Sequence, residues 1–89
     1  MQLPAEVVED LRRRLRRIEG QVRGLEAMLA DGRECRDVVT QLSAATKALD
    51  QVGFRLIASG LVYCIEHPDD AEAAGSPIDE VQRLFTKLA

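Results

Sequence analysis

The sequence lacks the features from which nucleotide sites and most enzyme sites are built. It has no glycine-rich phosphate loop, no strand-like alternation of apolar and polar residues, no internal repeat and no low-complexity tract. It also pairs no nucleophile with a general base and gathers no catalytic carboxylate pair. These absences argue against a nucleotide site, and we expect that the chain is not an enzyme.

Cysteine and histidine are scarce, with two cysteines and one histidine in 89 residues. The N-terminus has no basic segment followed by an apolar one, and no apolar run approaches the roughly 20 residues that cross a bilayer. We therefore expect a cytoplasmic protein with no membrane partner. In a reducing compartment a cysteine pair is more often redox-active or metal-binding than a structural disulfide, so Cys35 and Cys64 indicate thiol chemistry.

The length and the 46% hydrophobic content fit one domain over residues 1–89. A chain this short buries only about 60% of its unfolded surface, so we expect it to oligomerise. The net charge of −3 conceals an uneven distribution. Acidic residues gather towards the C-terminus, and a dense basic stretch with few acids nearby lies towards the N-terminus; its arginines are Arg12, Arg13, Arg14, Arg16, Arg17 and Arg23.

Apolar residues recur at spacings of three and four in three segments, which predicts three helices. The first begins near Pro4 and ends at Asp31 and Gly32; its apolar seam is Val8, Leu11, Leu15, Ile18, Val22, Leu25 and Leu29. The second runs from Cys35 to a stop before Pro68, with Gly53 and Gly60 inside it at close helix contacts. The third is short and starts with Ser76 as its cap. The fold class is all-α, in the order long, long, short.

The two cysteines are too far apart to meet within one chain. On one helix, their 29-residue separation corresponds to about 43 Å, whereas a disulfide requires Cα atoms within roughly 7 Å. Two antiparallel copies of the second helix would instead place Cys35 of one protomer beside Cys64 of its partner, twice per dimer. The spacing therefore predicts a dimer through the second helix, with an intersubunit thiol pair.

The surroundings of the two thiols differ. Cys35 lies at a helix N-terminus between Arg33 and Arg36, and both influences favour the thiolate, which makes it the better nucleophile. Cys64 lacks this help and suits the role of resolving thiol. His67 could share a helix face with Cys64 as a metal ligand, but the plainer interpretation is an exposed histidine at the helix end. Plain packing of two small residues at an interface stays open for both cysteines.

Two segments carry a family resemblance: RIEGQVRG at residues 17–24 and CRDVVTQLSAATKAL at residues 35–49. Together with a second cysteine near the end of the second helix, they resemble the copper-sensing repressor (CsoR) family over nearly the whole chain. The resemblance implies a three-helix protomer, an antiparallel dimer that pairs into a tetramer, and DNA binding without a helix-turn-helix.

The resemblance also bears on the inducer. Copper sensors of this family hold Cu(I) with two cysteines and a histidine four residues before the second; that position is Gly60 here. They have a tyrosine before the first cysteine, where this chain has Glu34, although Glu80 matches the family's helix-three glutamate. Nickel, cobalt and formaldehyde sensors also use the missing histidine. A cysteine pair without it resembles the persulfide-sensing CstR subgroup, which implies sulfur chemistry at Cys35 and Cys64 and no cofactor.

Copper remains the alternative inducer, with Cu(I) held by the two thiolates and a contribution from His67. By resemblance, the residues that contact operator double-stranded DNA are Arg13, Arg14, Arg16, Arg17 and Lys47, each primarily through phosphate. A solvated helix face is the common interpretation of such arginines, but their density, with few compensating acids nearby, argues against it here. A helical metal or interaction protein that never touches DNA is the second alternative. Salt-dependent DNA retention would discriminate a DNA-binding repressor from such a protein.

Overall fold

Helices make up most of the chain in the computed structural model, which describes residues 3–69 and 77–89. Helix α1 spans Ala5–Ala30, α2 spans Cys35–Glu66 and α3 spans Pro77–Leu88. No strand is present among the described residues. The prediction of an all-α chain in the order long, long, short is confirmed; the predicted cap at Ser76 lies outside the described residues.

Both long helices start after a residue whose backbone carbonyl accepts the first helical hydrogen bond. The Pro4 carbonyl accepts from the Val8 N–H at 3.1 Å, and the Glu34 carbonyl accepts from the Val38 N–H at 3.2 Å. Pro4 therefore lies just before the first turn of α1. Glu34 holds the equivalent position before α2 and fixes Cys35 as the first residue of that helix.

The end of α1 is fixed by a glycine. Gly32 has a φ of 69°, in the left-handed region that side chains with a Cβ rarely adopt. Its N–H donates to the Leu29 carbonyl at 3.2 Å, and the Arg33 N–H donates to the Met28 carbonyl at 3.0 Å. This pair of bonds is a Schellman motif, which satisfies carbonyls that the helix leaves open and reverses the chain into α2.

The chain divides into two compact units, one formed by Glu9–Val52 and the other by Met1–Val8 with Gly53–Ala89. In the first unit, the buried apolar side chains come from both long helices; they are Leu11, Ile18, Ala45 and Val52. The Gln41 side chain donates through Nε2 to the Gln21 backbone carbonyl at 3.5 Å in this unit. The assignment of residues 1–89 to one domain stays a prediction.

In the second unit, α3 packs against the C-terminal half of α2 at a glycine. A Cβ added at Gly53 would lie 2.5 Å from Leu88 Cδ2, so the absence of a side chain makes room for Leu88. This supports the predicted close helix contact at Gly53. Gly60 and Cys64 are buried in the same unit.

Much of the predicted apolar seam is exposed in the single chain. Of the seam of α1, only Leu11 and Ile18 are buried. The long helices and α3 also carry large exposed apolar side chains, among them Val22, Leu29, Leu42, Leu49, Phe54 and Phe85. Because monomeric proteins rarely expose apolar surface on this scale, the faces are suited to contact with further copies of the chain.

One property of α2 corrects an expectation. Its 32 residues are long and apolar enough to cross a membrane, judged by length and composition only. The expectation that no segment reaches this limit was wrong, because α2 carries few charged residues over a long window. A single such helix is weak evidence for a membrane span, since the packing helix of a helical assembly has the same composition.

Candidate functional site

Cys35 is the exposed member of the thiol pair. It is the first residue of α2 and is solvent-exposed in the single chain. The predicted basic surroundings are partly neutralised, since Arg33 Nη2 lies 3.4 Å from Asp37 Oδ2 in an ion pair. For Arg36, no ion pair is found within residues 3–69 and 77–89. The helix N-terminus and Arg36 therefore remain of the basic surroundings that the sequence predicts for Cys35.

Cys64 is the buried member of the pair. It lies two residues before the end of α2 and is 8% exposed. Both thiols are free, and both belong to α2. A reagent in solvent thus meets Cys35 directly, whereas Cys64 is covered within its own chain.

His67 follows α2 directly and is oriented by Tyr63. Its Nδ1 lies 3.2 Å from the Tyr63 carbonyl oxygen, and the two rings stack with centroids 4.4 Å apart and an interplanar angle of 17°. With a proton on Nδ1, the ring donates to this carbonyl and keeps the lone pair of Nε2 available. His67 is exposed, as the plainer sequence interpretation expects.

The remaining residues that the resemblance associates with the sensor are spread over different elements. Glu34 is exposed before α2, and Glu80 is exposed in the first turn of α3. Gly60, at the position of the family's histidine, is buried. Within the described part of a single chain, no group of three or more potential ligand residues could hold a metal ion.

The basic stretch of α1 contains two kinds of arginine. Four arginines are paired with the acids that precede them: Arg12 with Glu9, both Arg13 and Arg14 with Asp10, and Arg23 with Glu19. The expectation of few compensating acids was wrong for these four, because acids three or four residues N-terminal to an arginine lie on the same helix face.

Arg16 and Arg17 differ from these four arginines. Both are exposed, and neither forms an ion pair within residues 3–69 and 77–89. Lys47 is exposed on α2. Of the five residues predicted to contact DNA, Arg16, Arg17 and Lys47 therefore present their charge to solvent without an ion pair in the described chain.

Sequence reasoning missed the polar contact between α1 and α2, in which Gln41 Nε2 donates to the Gln21 backbone carbonyl. Gln21 Oε1 is buried, and no partner for it is found among the described residues. A Cβ added at Gly24 would lie 3.5 Å from Gln41 Nε2, which is an ordinary contact distance, so Gly24 lies directly beside that amide. The only signal in the sequence is a small residue and two amides inside otherwise apolar helix faces.

The chain matches the model of a family described as metal-sensitive transcriptional repressor over residues 8–87. It is 45% identical over 65 residues to the copper-sensing transcriptional repressor RicR of Mycobacterium tuberculosis. The aligned residues cover 73% of this chain and 65% of RicR. It is also 35% identical over 82 residues to the copper-sensing transcriptional repressor CsoR of Bacillus subtilis, covering 89% of this chain and 81% of CsoR.

A crystal structure of the copper-sensing repressor CsoR with Cu(I) from Geobacillus thermodenitrificans has the same fold. It superimposes with a TM-score of 0.77 at 35% identity, over 99% of this chain and 88% of that one. The relatives are transcriptional repressors, in agreement with the prediction of a non-enzymatic regulator. The chain belongs to the metal-sensitive transcriptional repressor family, the copper-sensing repressor family that its sequence motifs predict.

Proposed function

We propose that the chain is a cytoplasmic transcriptional repressor that releases operator DNA when reactive sulfur links Cys35 of one protomer to Cys64 of the partner subunit. One observation carries the choice of inducer. The sensing positions hold two free thiols, and buried Gly60 stands where the copper sensors have their histidine. A pair of thiols without a third ligand suits sulfur exchange, which needs two sulfurs and no metal.

The pair is intersubunit in this proposal. Both cysteines belong to α2, close to opposite ends of that helix, and cannot approach each other while it is intact. The exposed apolar side chains of α2, which include Leu42 and Leu49, support a contact with a second copy. An antiparallel dimer through α2, paired into a tetramer, would bring Cys35 of each protomer to Cys64 of its partner.

The chemistry follows from the different exposure of the two thiols. The Cys35 thiolate attacks a terminal sulfur of a polysulfide; the attacked S–S bond breaks, and the shortened polysulfide leaves with the electron pair. Cys35 is then a persulfide. The Cys64 thiolate of the partner subunit attacks the inner sulfur, which forms a disulfide and expels hydrosulfide. The link changes how the two α2 helices pack, and the basic surfaces of the oligomer move with them.

DNA binding is assigned to the helix-one arginines and to Lys47 in this proposal. The charges of Arg16 and Arg17 are exposed on α1, and repetition in each subunit of an oligomer produces an extended basic surface. Such contacts release counterions from DNA, so binding weakens steeply with added salt. Arg13 and Arg14 belong to the same set but are held by Asp10.

A decisive experiment treats the reduced protein separately with polysulfide and with Cu(I). Intact mass under non-reducing conditions and binding to a duplex made from the region upstream of the chain's own gene are recorded for each. A covalent dimer that releases DNA, with Cu(I) ineffective, supports the proposal. Cys35→Ala and Cys64→Ser variants should then bind DNA but fail to release it with polysulfide; unchanged release by either variant contradicts the proposal.

Cu(I) is the second candidate inducer because RicR of M. tuberculosis and CsoR of B. subtilis are copper-sensing repressors. Two thiolates are a soft donor set that Cu(I) accepts. The lone pair of His67 Nε2 could supply a third ligand from the end of α2. Tight Cu(I) binding that releases DNA without a covalent product would favour this candidate, and loss of affinity in His67→Ala would assign the third ligand.

A further inference from the structure

Asp10 holds two of the arginines assigned to DNA contact. Its Oδ2 accepts a hydrogen bond from Arg14 Nε at 3.0 Å, and its Oδ1 lies 3.8 Å from Arg13 Nη2. The Arg14 side chain is 32% exposed, against 69% for Arg13. Arg14 is therefore drawn along the helix towards the N-terminus instead of extending into solvent.

Arg16 and Arg17 have no acid placed as Asp10 is placed for Arg13 and Arg14. At the positions three and four residues before Arg16 and Arg17, the chain has arginines instead of acids. Within one helix turn, the basic face thus changes from arginines held by a carboxylate to arginines without an ion pair in the described chain.

We propose that Asp10 competes with DNA phosphates for Arg13 and Arg14 and so lowers the operator affinity of the repressor. The inference rests on the proposed function, because it assumes that α1 faces DNA. To reach a phosphate, each arginine must first leave the Asp10 carboxylate. That carboxylate then remains near a polyanion, unneutralised or with a cation taken from solution. Both effects oppose binding and reduce the net release of ions on association.

This competition would set the affinity within a range in which release is possible. A repressor assembled from several subunits repeats every arginine contact, so an uncompensated basic face would bind DNA of any sequence. The Asp10 carboxylate of each subunit weakens that sequence-independent attraction and leaves the contacts of Arg16 and Arg17 unchanged.

The neighbouring ion pair offers a matched control. Glu9 lies 3.8 Å from Arg12, both side chains are about 60% exposed, and Arg12 is not among the residues assigned to DNA. Glu9→Gln and Asp10→Asn remove the same charge from adjacent positions of the same helix. Glu9→Gln releases Arg12, whereas Asp10→Asn releases Arg13 and Arg14.

The test measures binding of wild type, Asp10→Asn and Glu9→Gln to the operator duplex by fluorescence anisotropy between about 50 and 200 mM salt. If release of both arginines from Asp10 is worth about 0.5 kcal/mol in each of two subunits that contact the duplex, Asp10→Asn gains about five-fold in affinity. The plot of log affinity against log salt should steepen by about one to two for that variant. Glu9→Gln should change affinity less than about two-fold.

A second background separates competition from a change in helix stability. In Arg14→Ala, the gain caused by Asp10→Asn should shrink by about half, because one of its two targets is gone. Circular dichroism and gel filtration establish that each variant is folded and assembled.

Unchanged or weaker binding by Asp10→Asn overturns the inference, as does an equal gain from Glu9→Gln. If the wild-type protein retains no duplex even at low salt, the proposed function itself fails, and the inference fails with it.

Discussion

The contact between Gly53 of α2 and Leu88 of α3 predicts a coupling between substitutions at these two positions. A Cβ at Gly53 would lie 2.5 Å from Leu88 Cδ2, 2.9 Å from Cδ1 and 3.2 Å from Cγ. Carbon atoms in contact normally lie about 3.5–4.0 Å apart. In Gly53→Ala the whole end of the Leu88 side chain must therefore move by about 1 Å or adopt another rotamer.

The magnitude follows from two opposing effects. Alanine in a helix interior is more stable than glycine by about 1 kcal/mol, whereas overpacking of a closed core costs about 1–3 kcal/mol. Leu88 is 50% exposed and its side chain can move, so the cost here lies at the low end of that range. We expect Gly53→Ala to leave the free energy of unfolding nearly unchanged in wild type and to raise it by about 1 kcal/mol in Leu88→Ala, where the clash is absent. The coupling free energy between the two substitutions is then about 1 kcal/mol.

The free energy of unfolding of wild type, the two single variants and the double variant is measured by urea unfolding followed by circular dichroism. One fixed protein concentration is used, because the stability of an oligomer depends on concentration. Gly20→Ala is the control: nothing lies within 4 Å of its added Cβ, so it should gain about 1 kcal/mol in either background. If the changes in the free energy of unfolding caused by Gly53→Ala and Leu88→Ala add within about 0.5 kcal/mol, Leu88 does not contact Gly53.

Two further predictions concern the sensor and the DNA surface. Iodoacetamide should alkylate Cys35 at least about ten-fold faster than Cys64, because a buried thiol reacts only after local opening of about 1.4 kcal/mol or more; equal rates by peptide mass spectrometry would contradict the assigned roles. Arg17→Ala should weaken operator binding and flatten its salt dependence by about 0.9 for each phosphate that the variant leaves unneutralised. Arg12→Ala should have little effect, and similar losses of affinity in both variants would point to general charge attraction.

The helix boundaries were predictable because local chemistry fixes them. Gly32 marks the end of α1 through a backbone conformation that favours glycine, and Pro68 marks the end of α2 because its ring removes the N–H that the helix needs. Neither signal depends on a distant part of the chain, so the predicted ends agree with the structure.

Sequence reasoning missed features of two kinds, local ion pairs within α1 and burial that depends on tertiary packing. The Asp10 pairs with Arg13 and Arg14 follow from spacings of three and four, and counting acids on the same helix face would have found them. The burial of Cys64 had no such signal, because it results from tertiary packing within its unit. Similarly, the burial of Gln21 Oε1 without a partner among the described residues depends on how α1 and α2 pack together.

The proposed mechanism makes stability and DNA affinity change in opposite directions. The single chain leaves large apolar side chains exposed, so association and folding should be coupled. A covalent link between Cys35 and Cys64 of the partner subunit would keep the two protomers together on unfolding, raise the melting temperature and make it less dependent on protein concentration. The same link should abolish operator binding. Loss of DNA binding with a lowered melting temperature would instead indicate that polysulfide unfolds the protein, and the sensor would then act by damage and not by repacking.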